Sequence, residues 1–264
     1  MIDEIRVESW PELQEQLFSD SWQEKLSRFR STFAFRGRND AAEDLRTSLI
    51  RLGGDVRAIE TPLLRSFRRY TRREAVPSDS AWDWLALAQH HGLPTRLLDW
   101  TYSPLVALHF ATASLERFDR DGVVWMLDYV EAQQEAPEQL RRLLADNAMD
   151  VFSGELLGEV VAGLAELERL AAEDYVVFLE PPALNERIVN QYSLFSLLSR
   201  PDVRLDEWLE SRPHLARRVI VPAELKWEVR DKLDQANLTE RVLFPGLDGL
   251  SRWLARYYAP RGDG

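Results

Sequence analysis

Leu87-Ala-Gln-His-His-Gly-Leu-Pro-Thr-Arg-Leu-Leu-Asp-Trp-Thr101, with Ser103-Pro104 directly behind it, sets Gln89, His90, His91, Thr95, Arg96, Asp99 and Thr101 among apolar neighbours. Leu93, Leu97, Leu98, Trp100, Leu105, Val106 and Leu108 have to be buried, so the polar groups between them need partners. An unpartnered buried polar group costs a few kcal/mol. The stretch therefore encodes an internal hydrogen-bond network or the floor of a site. Ser80 is placed to cap a helix over 81–91, Gly92 and Pro94 end it, and Leu97 to Thr101 reads as a short strand or turn. Ser103 and Pro104 then open a second helix, 105–117, whose first half is apolar on nearly every face.

On the N-terminal side, 11–28 has the apolar spacing of an amphipathic helix. Ser31 to Phe35 reads as a buried strand, closed by Arg36-Gly37. An arginine on an apolar strand requires an anion or a carboxylate; a buried ion pair with an acid such as Asp99 and an anion-binding role weigh equally. Gly37 permits unusual backbone or close approach by a ligand. Helices are expected over 41–51 and 60–73, the second carrying Arg65, Arg68, Arg69, Arg72 and Arg73. That basic face reads first as solvated and paired with nearby acids, and second as a docking surface for a nucleotide, nucleic acid or acidic protein.

On the C-terminal side, strands are expected over 122–128, 174–179, 191–198 and 217–221, with helices over 184–190, 222–236 and near the end. Residues 131–172 read as a helical insertion, a lid or packing arm. Short, dispersed strands among helices predict one α+β domain with a small irregular mixed or antiparallel sheet surrounded by helices. The expected organisation is an N-terminal helical segment (1–30), the main domain (31–250) and a C-terminal helix end and tail (251–264).

The chain has 264 residues, 45% hydrophobic and 29% charged, with a formal net charge of −11. That balance opposes broad electrostatic binding of nucleic acid. With no cysteine and four histidines, disulfides and thiolate metal sites are excluded and no metal is expected. No apolar run approaches the ~20 residues of a membrane span, and the first residues lack signal-peptide character. A cytoplasmic protein without membrane contact is expected.

P-loop, GxGxxG and GxSxG patterns are all absent. What remains is Arg36, the Gln-His-His turn, the Asp99-Trp-Thr101 corner at a helix start, and Arg187 with Gln191 ahead of a late strand. These are groups for gripping a phosphorylated ligand: arginine and helix amides for phosphate, Trp100 or Tyr192 for stacking on a ring. The histidines sit at a helix C-terminus, which favours imidazolium. His109, inside the following helix, reads as a core residue.

Phe35-Arg36-Gly37, Ala88-Gln-His-His-Gly-Leu-Pro-Thr-Arg-Leu-Leu-Asp-Trp-Thr101, Pro104-Leu-Val-Ala-Leu-His-Phe-Ala111, Arg187-Ile-Val-Asn-Gln191 and Leu243-Phe-Pro-Gly-Leu-Asp-Gly249 together resemble the FRG domain family. Tyr192 departs from it, standing where the family more usually has glycine or a small residue. The order of motifs is also similar to that of ADP-ribosyltransferases: an aromatic-Arg-Gly strand, a polar strand end leading into an Ala-x-x-Phe-Ala helix, and a late strand opened by glutamate. Here Gln191 stands at that glutamate's place. The second resemblance implies NAD as substrate in an ADP-ribosyltransferase-like fold, possible protein acceptors, and a bacterial toxin or antiphage effector setting. It implies Arg36 clamping pyrophosphate or ribose, with Gly37, Gln89, His90, Thr95, Arg96, Trp100, Thr101, Arg187 and Tyr192 around the ligand. Gln191 would bond a ribose hydroxyl, and His91, Asp99 or Glu186 would supply the group that an amide cannot. A non-catalytic nucleotide- or protein-binding module and a nucleic-acid-processing enzyme remain the alternatives.

Overall fold

The computed structural model describes residues 1–71, 79–183 and 185–260. Ten strands are numbered along the chain: β1 Asp3–Arg6, β2 Trp22–Gln23, β3 Arg28–Phe29, β4 Phe33–Arg38, β5 Leu98–Thr101, β6 Gly122–Asp128, β7 Phe152–Ser153, β8 Val176–Glu180, β9 Ser193–Leu198 and β10 Ala216–Val221. Eight of them form one sheet in the order β1-β10-β6-β4-β5-β9-β8-β7, antiparallel except for its parallel edge pairs β1–β10 and β7–β8. The α+β expectation holds, but the sheet is large. Two of its strands come from places where sequence shows no strand: the charged Asp3-Glu-Ile-Arg6 and the two-residue β7 inside the insertion.

Strict alternation along the strands fills both faces. Trp125, Leu98, Trp100, Phe178 and Leu194 point to one side, where Leu205 and Trp208 of helix Leu205–Glu210 cover them. The other side is divided. Phe35, Val124, Met126 and Val219 meet helices Trp10–Phe18, Pro104–Ala111 and Lys226–Gln235. Val177, Phe195 and Leu197 meet helix Ala81–His90 and the 131–172 insertion, whose Leu140, Leu156 and Leu157 are buried there. The insertion is a packing arm.

Several boundaries differ from the periodicity. The first helix stops at Phe18, because Ser19 and Ser21 hydroxyls donate to Gln16 and Phe18 carbonyls and Asp20 turns left-handed (φ 54°). The chain then forms a separate hairpin, β2 with β3, instead of running helical to Arg28. Residues 41–47 are not helical: Asp40 and Asp44 carboxylates accept from the Ala42 and Arg46 amides, leaving a short helix, Ser48–Leu52, capped by Thr47. Asp55 caps the arginine-bearing helix, Val56–Tyr70. Of that cluster, Arg72 and Arg73 lie outside the described residues, as does Leu184 at the expected start of the later helix.

Gly37 has a specific packing role. A Cβ there would lie 1.8 Å from the Ala107 carbonyl oxygen and 2.6 Å from the Ala111 amide nitrogen. Helix Pro104–Ala111 therefore rests directly on the β4 backbone, so on the Cβ side of Gly37 the close approach is by this chain. Gly37→Ala is expected to force the helix off the sheet and lower stability by about 1–3 kcal/mol, read as a lower urea midpoint. An unchanged midpoint would contradict so close a seat.

Candidate functional site

β4 pairs with β6 along its whole length, Phe33 to Arg38, and β5 pairs with β9 from Leu98 to Thr101. Between β4 and β5 there is one register pair only, Phe35 opposite Thr101. Beyond it the two central strands part, and a cleft of about 180 Å³ opens in the gap. Arg36, Arg38, Asp99, Arg187 and Gln191 line it, with the ring of Phe110 and the backbone of Gly37 at its wall.

Arg36 crosses the gap. Its Nη1 donates to the Asp99 carbonyl and lies 3.8 Å from Asp99 Oδ2, while its Nε is buried with no partner among the described residues. Burial lowers the Arg36 pKa against the pull of Asp99, and Arg51 adds to the lowering. Arg38 is pushed down to about 10 by burial and then by the like charges of Arg36, Arg51 and Arg117. It bonds Glu43 through Nη2, but its Nε is also buried and unpartnered. Arg187 makes no ion pair among the described residues; its guanidinium sits 5.0 Å over the Phe244 ring. The cleft is thus rich in cations and poor in anions inside an acidic protein.

Asp99 is the one carboxylate among the described lining residues, and it is positioned from behind. Gln89 Nε2 donates to Asp99 Oδ2 (2.9 Å), and Gln89 Oε1 accepts from Thr95 Oγ1 (2.6 Å). Thr95 Oγ1 accepts from the Leu97 amide (3.1 Å), and the Thr95 amide donates to Ser48 Oγ (3.0 Å). Gln89 and Thr95, expected at the ligand, instead orient the carboxylate.

Gln191 reaches the cleft, but its Nε2 donates to the Leu243 carbonyl (3.0 Å), and its own carbonyl accepts from Thr101 Oγ1 (2.7 Å). These bonds tie the β9 entry to β5 and to the segment leading into Phe244. Thr101 Oγ1 also accepts from the Ser103 amide, and Ser103 caps Val106. The helix start expected to receive an anion thus has at least two of its amides satisfied by its own chain.

Four further residues expected at the site, Arg96, His90, His91 and Tyr192, do not line the cleft. Arg96 is buried on the far side, its guanidinium bonded to Glu60 (2.7 Å from Nε), Glu168 (2.9 Å) and the Ser199 carbonyl (2.7 Å). It joins the arginine-bearing helix and the insertion to β9. Trp100 does line the cleft, but at 3% exposed and with Nε1 on Ser196 Oγ (2.8 Å) its ring belongs chiefly to the core. His90 Nε2 pairs with Asn185 Nδ2 (2.7 Å), and burial followed by the Arg187 charge lowers its pKa, outweighing the helix-end effect expected to favour imidazolium. His91 is exposed, does not line the cleft, and touches the His90 ring at 5.1 Å. Tyr192 packs on Tyr102 (4.8 Å) beside the cleft, in the left-handed region (φ 49°). That conformation favours glycine, so Tyr192 holds it at some backbone cost.

Arg38 was missed. Its signal was present in the alternation of the strand, since Arg36 and Arg38 at i and i+2 share a face. On the arginine-bearing helix, Arg57 pairs with Asp202 (2.8 Å) and Arg68 with Asp79 (2.8 Å), as expected of a solvated, paired face.

Behind the cleft, His109 is fully buried and accepts from Arg230 Nη1 at Nδ1 (3.0 Å), which requires the neutral ring. Burial and then the Arg230 charge push it down to about 3. Arg230 in turn meets Glu240 (3.0 Å), which Arg256 and Arg230 pull down to about 2 against burial. A histidine whose folded pKa lies below its unfolded value near 6.5 contributes stability that is full above that value and declines toward the folded one. Unfolding free energy is therefore expected to fall below about pH 6.5, by up to about 1.4 kcal/mol per pH unit from His109. Urea titrations at stepped pH on wild type and His109→Gln check this; parallel pH profiles would refute it.

Residues 31–120 match the family model described as the FRG domain. The match takes in β4, β5 and the helix behind them, and leaves Arg187, Gln191 and the Leu243–Gly249 segment outside it. No curated protein and no solved structure matches the chain.

Proposed function

Starting from a chain that carries an FRG domain at residues 31–120, we propose that the cleft between β4 and β5 holds the phosphate-bearing part of NAD and that the protein is an ADP-ribosyltransferase-like, NAD-using enzyme. One observation carries the reading: two arginines short of anions, Arg36 and Arg187, share a cleft with a single oriented carboxylate, Asp99. Guanidinium groups are the preferred partners of phosphate oxygens. Cleavage of the nicotinamide–ribose bond leaves positive charge on the ribose, and a fixed carboxylate stabilises that charge without reorganising. Asp99, held by Gln89, takes this role where Gln191 offers only an amide. At about 180 Å³ the cleft suits one end of the dinucleotide, with the remainder lying across its rim beside Phe244. A toxin or antiphage effector that consumes NAD or modifies a protein acceptor is the setting this chemistry serves.

The engagement of Gln191 Nε2 by the Leu243 carbonyl favours a second reading, a module that binds nucleotide without turnover. Nicotinamide release and NAD titration, measured together, separate the two. The enzyme reading expects Arg36→Ala to abolish release by weakening binding. It expects Asp99→Asn to lower release by about 10²–10³ while NAD affinity stays within a few-fold. NAD binding without release selects the module, and no binding by a folded sample rejects both.

A further inference from the structure

We propose that the hairpin formed by β2 and β3 docks the protein on an anionic lipid surface. The hairpin stands apart from the main sheet, pairing only Trp22 with Phe29 and Gln23 with Arg28. Every residue from Glu24 to Arg30 is exposed, so it is a projection and not a groove. Its apolar side chains face water: Trp22 is 48% exposed, Leu26 61% and Phe29 68%, with Phe18 at its base 49% exposed. The Trp22 and Phe29 rings meet edge to face at 5.0 Å, on one side of the hairpin. Leaving about half or more of each of these side chains in water gives a clustered apolar tip of the kind that marks an interaction site.

The surrounding charge selects the occupant. Lys25, Arg28 and Arg30 make no ion pair among the described residues, the Arg30 guanidinium donating to the Phe29 carbonyl. Glu24 is the one acid between Trp22 and Arg30, in a chain of net charge −11. Bases beside exposed tryptophan, phenylalanine and leucine are the chemistry of the headgroup boundary, where rings enter the interface and cations meet lipid phosphates. A planar lipid surface accepts a convex tip without a matching cavity. Pairing two copies through this tip would instead bring like charges together. Peripheral docking needs no membrane-crossing helix, and none of the described helices is long and apolar enough to cross.

The test is sedimentation of the full chain with vesicles of phosphatidylcholine alone or mixed with phosphatidylglycerol. Binding is expected to the mixed vesicles, weakening as salt rises. Lys25→Glu with Arg28→Glu should reduce the bound fraction about tenfold or more, and so should Trp22→Ser with Phe29→Ser. Arg28→Lys with Arg30→Lys should retain binding, and Arg36→Ala should leave it unchanged, separating this surface from the cleft. All the substituted hairpin side chains are exposed or half-buried outside the main sheet, and circular dichroism verifies folding. No preference for the anionic vesicles, or unchanged binding after charge reversal, overturns the proposal. Concentration-dependent dimerisation that Trp22→Ser abolishes, without vesicle binding, assigns the tip to self-association and overturns it as well.

Discussion

Arg36 spans the gap where β4 and β5 cease to pair, and its guanidinium serves the Asp99 carbonyl that continued strand pairing would have served. Everything at the candidate site depends on that replacement of a ladder by a side chain. It keeps two central strands of one sheet apart, so that the cleft opens in the middle of the fold and not at an edge. The other side of β4 remains fully paired with β6, and Gly37 leaves the helix behind no room to shift. A rigid wall on each side gives the cleft a fixed width, the condition for orienting a ligand without reorganising around it.

The two arginines of the central motifs show how similar side chains acquire different work. Arg96 is saturated: two carboxylates and a backbone carbonyl take its donors, and it is 2% exposed. Such a buried cluster is costly to break, and it is better understood as fixing which segments meet than as net stabilisation. The Arg230–Glu240–Arg256 network does the same for the C-terminal helices, with neutral His109 joining it to the helix behind the cleft. Arg36 and Arg38, by contrast, retain buried Nε donors without partners and crowd one another's charge. Arg230 also keeps a buried Nε without a partner among the described residues, so what sets Arg36 and Arg38 apart is their place on the cleft.

The hairpin and the cleft lie on different parts of the chain, one in the first thirty residues and outside the family match, the other largely within it. Both concentrate positive charge in an acidic molecule. The cleft holds its cations at least partly desolvated beside a carboxylate, suited to a small phosphorylated ligand. The hairpin holds its cations in water beside aromatic rings, suited to an extended surface.

Local chemistry was legible where it acts over a few residues. Ser80, Ser103 and Pro104 declared their helix starts, short apolar runs declared β4, β6 and β9, and the polar run from Gln89 to Thr101 declared a network that burial would have to satisfy. The α+β class and the meeting of Arg36, Asp99, Arg187 and Gln191 were likewise within reach, the last through a resemblance. Partner choice was not legible, because a hydrogen bond between residues far apart leaves no periodic trace. Sequence could not show that Gln89 takes Asp99 while Glu60 takes Arg96, that Gln191 is engaged by a carbonyl fifty-two positions away, or that seryl hydroxyls end the first helix early. By itself the sequence determined which groups needed partners, since burying polar atoms is costly wherever they fall. Only the tertiary structure decided which needs were met within the chain and which were left open at the cleft, because that depends on how the strands part.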